Sequence, residues 1–357
     1  MTNNLRMAIN REWSSRPDDQ RFLSLEELHN FNVAKRDMSA EGVAKLREMR
    51  LTAKDGELYL GQEGRDAQAA LSNWSFGQLA QRAKAPAGYL RTLPAELAAE
   101  NLNHSMKNDE EDCKLLMRGK GYDLRIACAS SVTYGRIFDA DMSGAVRANV
   151  DQDVWKVPSA SYAKRDPKRA TTLYASDRDC FIALVDDKHP IEAPNGDKLF
   201  RGFIARNSEV GLCKFDFLAF LYRYICDNRQ IHGGSELFNF SIRHTSGGPG
   251  RYMNEVRPAL AKYLTAGTSG IVENIKKARA LEVAKTDPDT IEWMIGKGFT
   301  KVLSEKAFAI ASVEEGLNPR SVYGVVQGLT GAAHDITHND IRLDLERRAG
   351  ALMSLAA

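Results

Sequence analysis

Long apolar runs are missing from this 357-residue chain. No stretch approaches the roughly 18 uninterrupted apolar residues that a membrane-spanning helix needs, and the opening MTNNLRMAINREW lacks the apolar block of a secretion signal. The expectation is a soluble, cytoplasmic protein with no membrane partner. Charge of one sign is scarce too: 49 Lys and Arg stand against 47 Asp and Glu, a formal net charge of +2. That excludes the basic excess of a histone-like protein or a purely electrostatic clamp, so any polyanion site must be local. Cysteine is sparse. Cys113, Cys128, Cys180, Cys213 and Cys226 make an odd total with no CxxC pair, which fits reduced, buried thiols rather than a disulfide framework. Catalytic signatures are missing as well: there is no Gly-x-Ser-x-Gly elbow, no His-Glu-x-x-His and no P-loop lysine. No nucleophile is nominated, and an enzymatic role is less expected than a binding one. His334 and His338 share the four-residue spacing of zinc-binding helical pairs, but Asp335 follows His334 and the surrounding Thr337 and Asn339 suit a helix end. Neither a metal nor a cofactor is expected.

What is present is a globular composition, 43% hydrophobic and 27% charged, with enough length for about two domains at roughly 150 residues each. Ser24 reads as the cap of a short helix, and Glu57 to Leu60 as a strand behind an Asp55-Gly56 turn. A helix from Ser75 to Arg82 buries Phe76, Leu79 and Ala80. After the acidic stretch Asn108 to Asp112, Tyr122, Leu124, Ile126 and Cys128 alternate with their neighbours as a half-buried strand does. Thr171 to Tyr174, Phe181 to Val185 and Leu199 to Ala205 read as strands, the last two paired. Phe215 to Cys226 has apolar residues at helical spacing and reads as a central helix that is apolar nearly all round. Beyond 256 the pattern is helical, with one long segment from Val322 to Arg348 interrupted at Gly328 to Gly331. The expected fold is α+β: a central mixed or antiparallel sheet over about 120–245, a helical N-terminal cap and a helical C-terminal region. The corresponding regions are 1–110, 120–250 and 251–357.

Three segments carry candidate chemistry. Lys164, Arg165, Lys168 and Arg169 in SYAKRDPKRATT form the densest basic run, and cations near aromatic residues are the ingredients of a strand-binding groove. A solvated loop is the plainer reading of the same residues. FRGFIARNSEVG at 200–211 ends a strand in Asn207, Ser208 and Glu209, flanked by Arg201 and Arg206. If a helix follows, its junction can direct backbone N–H groups at an anion; otherwise these side chains make turn and cap hydrogen bonds. Arg229 and the pair Arg243-His244 lie at ends of core elements, where they can converge with Arg206 on one sheet edge.

Several of these segments together resemble the phage- and plasmid-borne proteins grouped as the domain-of-unknown-function 932 family (DUF932). The matching stretches are YLRTLPAELAAENLN, LRIACASSVTYGRIFD, YASDRDCFIALV, FRGFIARNSEVG, FLYRYICDNRQIHG and IRHT, between 89 and 245. The resemblance implies a mobile-element origin and no reaction class. The reading with most support is a nucleic-acid-binding protein of a phage or plasmid, acting in single-strand DNA binding or annealing during replication or recombination. One rival is a nucleotide- or nucleic-acid-processing enzyme built around Asn207, Ser208, Glu209 and His244. The other is an interaction module that forms a homo-oligomer through its C-terminal helices.

Overall fold

The computed structural model describes residues 18–62, 64, 67–157, 171–192, 198–223, 228–231, 239–266, 269–336 and 339–356. The strands of the first part are β1 (Arg21–Phe22), β2 (Ser39–Lys45), β3 (Met49–Lys54), β4 (Glu57–Gln62), β5 (Gln68–Leu71), β6 (Asp112–Arg118) and β7 (Arg125–Ser131). Then come β8 (Trp155–Lys156), β9 (Leu173–Ala175), β10 (Cys180–Asp186), β11 (Ile191–Glu192), β12 (Lys198–Asn207), β13 (Phe215–Arg223), β14 (Asn228–Ile231) and β15 (Asn239–Ile242). The longer helices are α1 (Leu25–Asp37), α2 (Asn73–Arg82), α3 (Ala95–Met106), α4 (Asp139–Asn149) and α5 (Arg257–Thr265). They continue with α6 (Ser269–Ala280), α7 (Asp287–Gly296), α8 (Lys301–Ser312), α9 (Val322–Ala332) and α10 (Asn339–Ala351). The fold is α+β, with one mixed and one antiparallel sheet. Among the described residues no helix is long and apolar enough to cross a membrane.

The small sheet has six strands in the order β2-β6-β7-β5-β4-β3, antiparallel except for the parallel pair β5–β7. Its two edge strands are consecutive in the chain, joined only by the turn Leu46–Glu48. Six flat strands would separate those edges by about 24 Å. The four residue steps from Lys45 to Met49 reach at most about 14 Å. The sheet therefore coils until its edges approach at that end. Leu46, Leu51, Leu60, Leu115 and Ile126 fill the coil against Phe76 and Leu79 of α2 and Leu102 and Met106 of α3. The Asp55-Gly56 turn behaves as its sequence implies: both residues have positive φ, 53° and 77°, which matches the twist of the β3–β4 hairpin.

The large sheet has nine strands, with β1-β9-β10-β12-β13-β14 as its main path and β8, β11 and β15 paired on β10, β12 and β13. One face, with Ile182, Phe203, Phe215 and Phe217, packs on Leu28 of α1, Met142 and Val146 of α4 and Tyr263 of α5. The opposite face, with Phe181, Val185, Ile204, Leu218 and Phe220, is buried as well. A third core joins α6 to α10 and docks on this sheet through Ile191, Leu199 and Leu221.

Four expectations change. The N-terminal region is not mainly helical, because Ser39 to Leu71 supplies four strands; β2 is an exposed edge whose residues SAEGVAK carry almost no apolar alternation. The break expected near 110–120 instead holds β6, which pairs with β2 on one side and β7 on the other. Phe215 to Cys226 is not a helix. Its residues 215–223 form β13, paired with β12, β14 and β15. A strand buried on both faces is apolar at nearly every position, as β13 is apart from Asp216 and the terminal Arg223, so spacing alone mimics a helix, while the aromatic enrichment of FDFLAFLY favours the strand. Finally, the break after Val322 falls past Ala332, not at Gly328 to Gly331. Those glycines are helical, and Gly328 lets α9 approach the Ala307 carbonyl of α8 more closely than a Cβ would permit.

Candidate functional site

Because β13 is a strand, Asn207-Ser208-Glu209 opens a strand-to-strand connection, and the helix start that would aim amides at an anion does not follow it. The Ser208 hydroxyl holds the turn, donating to Arg178 O at 2.6 Å and accepting from Leu212 N at 2.9 Å. Gly211, with φ 89°, completes the reversal. Val210, between Glu209 and that glycine, is driven into the small sheet's side of the molecule: its carbonyl accepts from Trp74 Nε1 at 2.8 Å and Gln78 Nε2 at 2.7 Å. Its side chain is buried with Leu116 and Cys128.

Glu209 caps a helix, though not the one its sequence context suggests. Its Oε1 accepts from the Asp139 backbone N–H at 2.8 Å, satisfying the first turn of α4, whose cap residue Phe138 has no side-chain acceptor. Its Oε2 is paired with the Arg118 guanidinium and lies 3.7 Å from Lys35 Nζ. Lys35 in turn meets Asp139 Oδ2 at 2.6 Å and donates to Ser176 O at 3.2 Å. Asn207 Nδ2 donates to Asp139 Oδ1 at 2.7 Å and to Ile137 O at 2.8 Å. Arg118 also reaches Ser39 Oγ at 3.1 Å and Asp177 O at 2.9 Å. Two cations and two carboxylates from α1, β6, α4 and the β12–β13 turn thus form a buried, charge-balanced knot between the sheets. Arg118, despite its partners, has its pKa lowered by burial. What this arrangement does chemically is fix geometry, since both carboxylates are occupied by protein donors.

His244 lies beside the knot. Its ring stacks on Tyr134 with centroids 5.0 Å apart, and Nδ1 is 3.2 Å from Gly135 O. Burial pushes its imidazole below the ordinary histidine range. Arg136 also packs over Tyr134, 5.2 Å from the ring centroid, and its Nε donates to Glu41 Oε1 at 2.7 Å. Three of the cysteines are shielded by position: Cys113, Cys128 and Cys180 are buried free thiols, and burial raises the Cys113 pKa to about 11.

The remaining sequence candidates divide. Lys164, Arg165, Lys168 and Arg169 lie outside the described residues, as do Cys226 and His338. Arg206 stands opposite Asp216 in the β12–β13 register and pairs with it at 2.8 Å, so its charge is already met. Asp216 also accepts from Ser241 of β15 at 2.6 Å, two residues before Arg243, and lies 4.0 Å from Lys214 Nζ. Arg206, Lys214 and Arg243 therefore gather around one end of the β12–β13–β15 ladder, and Arg243 is exposed with no ion pair among the described residues. Arg229 falls at the other end, opposite Tyr222, six strand residues and roughly 20 Å from the Asp216 position.

A cationic group that sequence reasoning misses lies on the small sheet. Arg47, Arg50, His104 and Lys107 line a depression of about 210 Å³ with Glu100 and Asn103. The spacing of Glu100, His104 and Lys107 marks one helix face, but their juxtaposition with Arg47 and Arg50 depends on β3, in a region expected to be helical. Among the described residues no group of three or more His, Cys, Asp or Glu side chains is placed to hold a metal ion. Comparison of the chain with protein-family models, with curated proteins and with solved structures finds no match.

Proposed function

We propose that the protein binds nucleic acid, with single-stranded DNA as its preferred partner, in the replication or recombination of a phage or plasmid. The observation that carries this reading is the run Lys164, Arg165, Lys168 and Arg169, relieved within 164–169 only by Asp166, in the chain between β8 and β9. Phosphate neutralisation by such a run is sequence-independent and salt-dependent. The group of Lys214 and Arg243 at the end of the large sheet adds solvent-accessible cations on a rigid support. The segmental resemblance to DUF932 proteins between 89 and 245 supports the mobile-element setting. The buried state of Glu209 and the pairing of Arg206 with Asp216 favour binding over a reaction centred on those residues.

Fluorescence anisotropy with a labelled single-stranded oligodeoxynucleotide tests this. The expected result is binding that weakens as salt rises. Replacing Lys164, Arg165, Lys168 and Arg169 together by Ala should weaken it strongly and lower the salt slope by up to about 3, at about 0.7 for each phosphate no longer neutralised. Absence of binding at low salt would remove the proposal.

A further inference from the structure

We infer that His244 is a pH-sensitive clasp. While its ring is neutral, it holds the chain that leaves β15 against the segment joining β7 to α4, and a proton on the ring releases that hold. The two chains meet as a two-way pair: Gly135 N donates to His244 O at 3.0 Å, and His244 Nδ1 lies 3.2 Å from Gly135 O. A carbonyl can only accept, so Nδ1 carries the ring hydrogen and Nε2 is the bare nitrogen that a further proton would take. The chains touch closely, for a Cβ on Gly135 would lie 2.0 Å from Thr245 O. The joining segment is also fixed from other sides. Lys114 Nζ donates to Tyr134 O at 3.0 Å, and the Tyr134 hydroxyl donates to Ser208 O at 3.0 Å. The His244 ring stacks on this anchored tyrosine.

The neutral ring suits this place and the charged ring does not. Nε2 is buried with no hydrogen-bond partner among the described residues. Around the ring stand Tyr134 and Arg136 of the joining segment, Asp139 at the start of α4 and the Cys213 backbone of the β12–β13 turn, with Arg243 beside it in the chain. Burial holds the Tyr134 phenol far above the ordinary tyrosine range, so it offers no countercharge. Asp139 already serves Lys35 and Asn207. Arg136 is the near cation. Its side chain is 1% exposed, Glu41 is its one ion-pair partner among the described residues, and Nη1 and Nη2 have no hydrogen-bond partner there. Burial first, and repulsion from Arg136 with it, oppose a second charge beside that guanidinium; together they outweigh Asp139 and the Gly135 and Cys213 backbone groups, which favour it.

Release has a route. Thr245, Ser246 and Gly247 are exposed, and open space surrounds Gly247 and Gly250 where a Cβ would stand. The charged ring can therefore turn out to water by movement of 243–247 alone, while β15 stays paired with β13 and Tyr252 stays buried. Linkage sets the sign and the size. A ring that is harder to protonate when clasped loses its hold as pH falls below about 6.5, by up to about tenfold per pH unit until the clasped ring itself titrates. The clasp stands apart from the nucleic-acid reading.

Hydrogen exchange on the full chain tests this, read by mass spectrometry in peptides covering 132–138 and 243–251 and corrected for the intrinsic effect of pH. From about pH 7.5 to about pH 5.5, protection in both peptides should fall together by up to about tenfold, while α9 keeps its protection. His244→Phe keeps a flat ring on Tyr134 but takes no proton. In that variant the pH dependence should disappear, with a melting temperature near the parent's at the higher pH. The ring itself is followed by its Cε1–H resonance, identified as the histidine signal lost in His244→Phe or His244→Gln, and should titrate below about 6.5. Unchanged protection in the parent overturns the clasp whatever the variants do. So does the same pH dependence in the folded phenylalanine variant, which would assign it to another group. A ring that titrates at or above about 6.5 overturns it too.

Discussion

Glu209 shows how much one side chain can hold when it is placed where four segments meet. It accepts the first amide of α4, pairs with Arg118 and faces Lys35, while being only 1% exposed. An ion pair in such a place need not stabilise more than apolar packing would, but removing one member strands the others without solvent. In Glu209→Ala, Lys35 and Arg118 would be left with Asp139 as their carboxylate, and the Asp139 N–H would lose its acceptor. The expected loss is about 3–5 kcal/mol. Glu209→Gln keeps an oxygen for that amide and should fall between the alanine variant and the parent. Urea unfolding checks this, with midpoints that drop in that order at constant slope; equal midpoints for the alanine variant and the parent would mean that the knot carries no stability.

At the scale of elements, packing and propensity give opposite answers, and Gly328 is where they can be told apart. Replacing a mid-helix glycine by alanine normally stabilises by about 1 kcal/mol. Here the added Cβ would overlap the Ala307 carbonyl oxygen and lie 3.3 Å from the Ala311 Cβ, so α8 and α9 must move apart. Gly328→Ala is therefore expected to destabilise by about 1–3 kcal/mol, as overpacking does, and to lower the thermal midpoint. A raised midpoint would show that the two helices yield freely. The same competition decides what is legible in the sequence. The Ser24 cap is readable because its hydroxyl acts locally, accepting from Glu27 N at 3.1 Å, and so is the Asp55-Gly56 turn. The pairing of β10 with β12 is readable from two apolar runs, Phe181 to Val185 and Leu199 to Ala205, close together in the chain. β13 is not, because burial on both faces erases the alternation that distinguishes a strand. β2 is not for the opposite reason: exposure leaves it too few apolar residues. Of the site, the polar richness of Asn207 to Glu209 is visible. Its partners Lys35, Arg118 and Asp139 are not, since each comes from an element at least 68 residues away in sequence from Asn207, the separation spanned by its bond to Asp139.

Across the whole molecule, the question is whether the C-terminal helices form an appendage or part of the body. α6 to α10 have their own interior, with Ile275, Met294, Val326 and Leu345 among its members. That interior also takes in Ile191, Leu199 and Leu221, which belong to β11, β12 and β13 and are 4%, 1% and 2% exposed. The helices are thus the cover of one end of the large sheet, and a single hydrophobic unit runs through both. A chain ended after Ala266 keeps α5 and the face it covers, but it uncovers these three aliphatic side chains together on neighbouring strands. Each represents about 1.5–3 kcal/mol of burial lost, and a contiguous patch of this kind drives association. The shortened chain is expected to bind a hydrophobic dye and to scatter light as oligomers or aggregates, while the full chain does neither to the same degree. A monomeric shortened chain with no dye signal and an unchanged melting temperature would mean that the helices are separable and that the sheet needs no cover there. Should the full chain self-associate through an outer face of these helices, the added mass would persist in a Leu199→Ala, Leu221→Ala variant that loosens the inner face, because the two surfaces lie on opposite sides of the same layer.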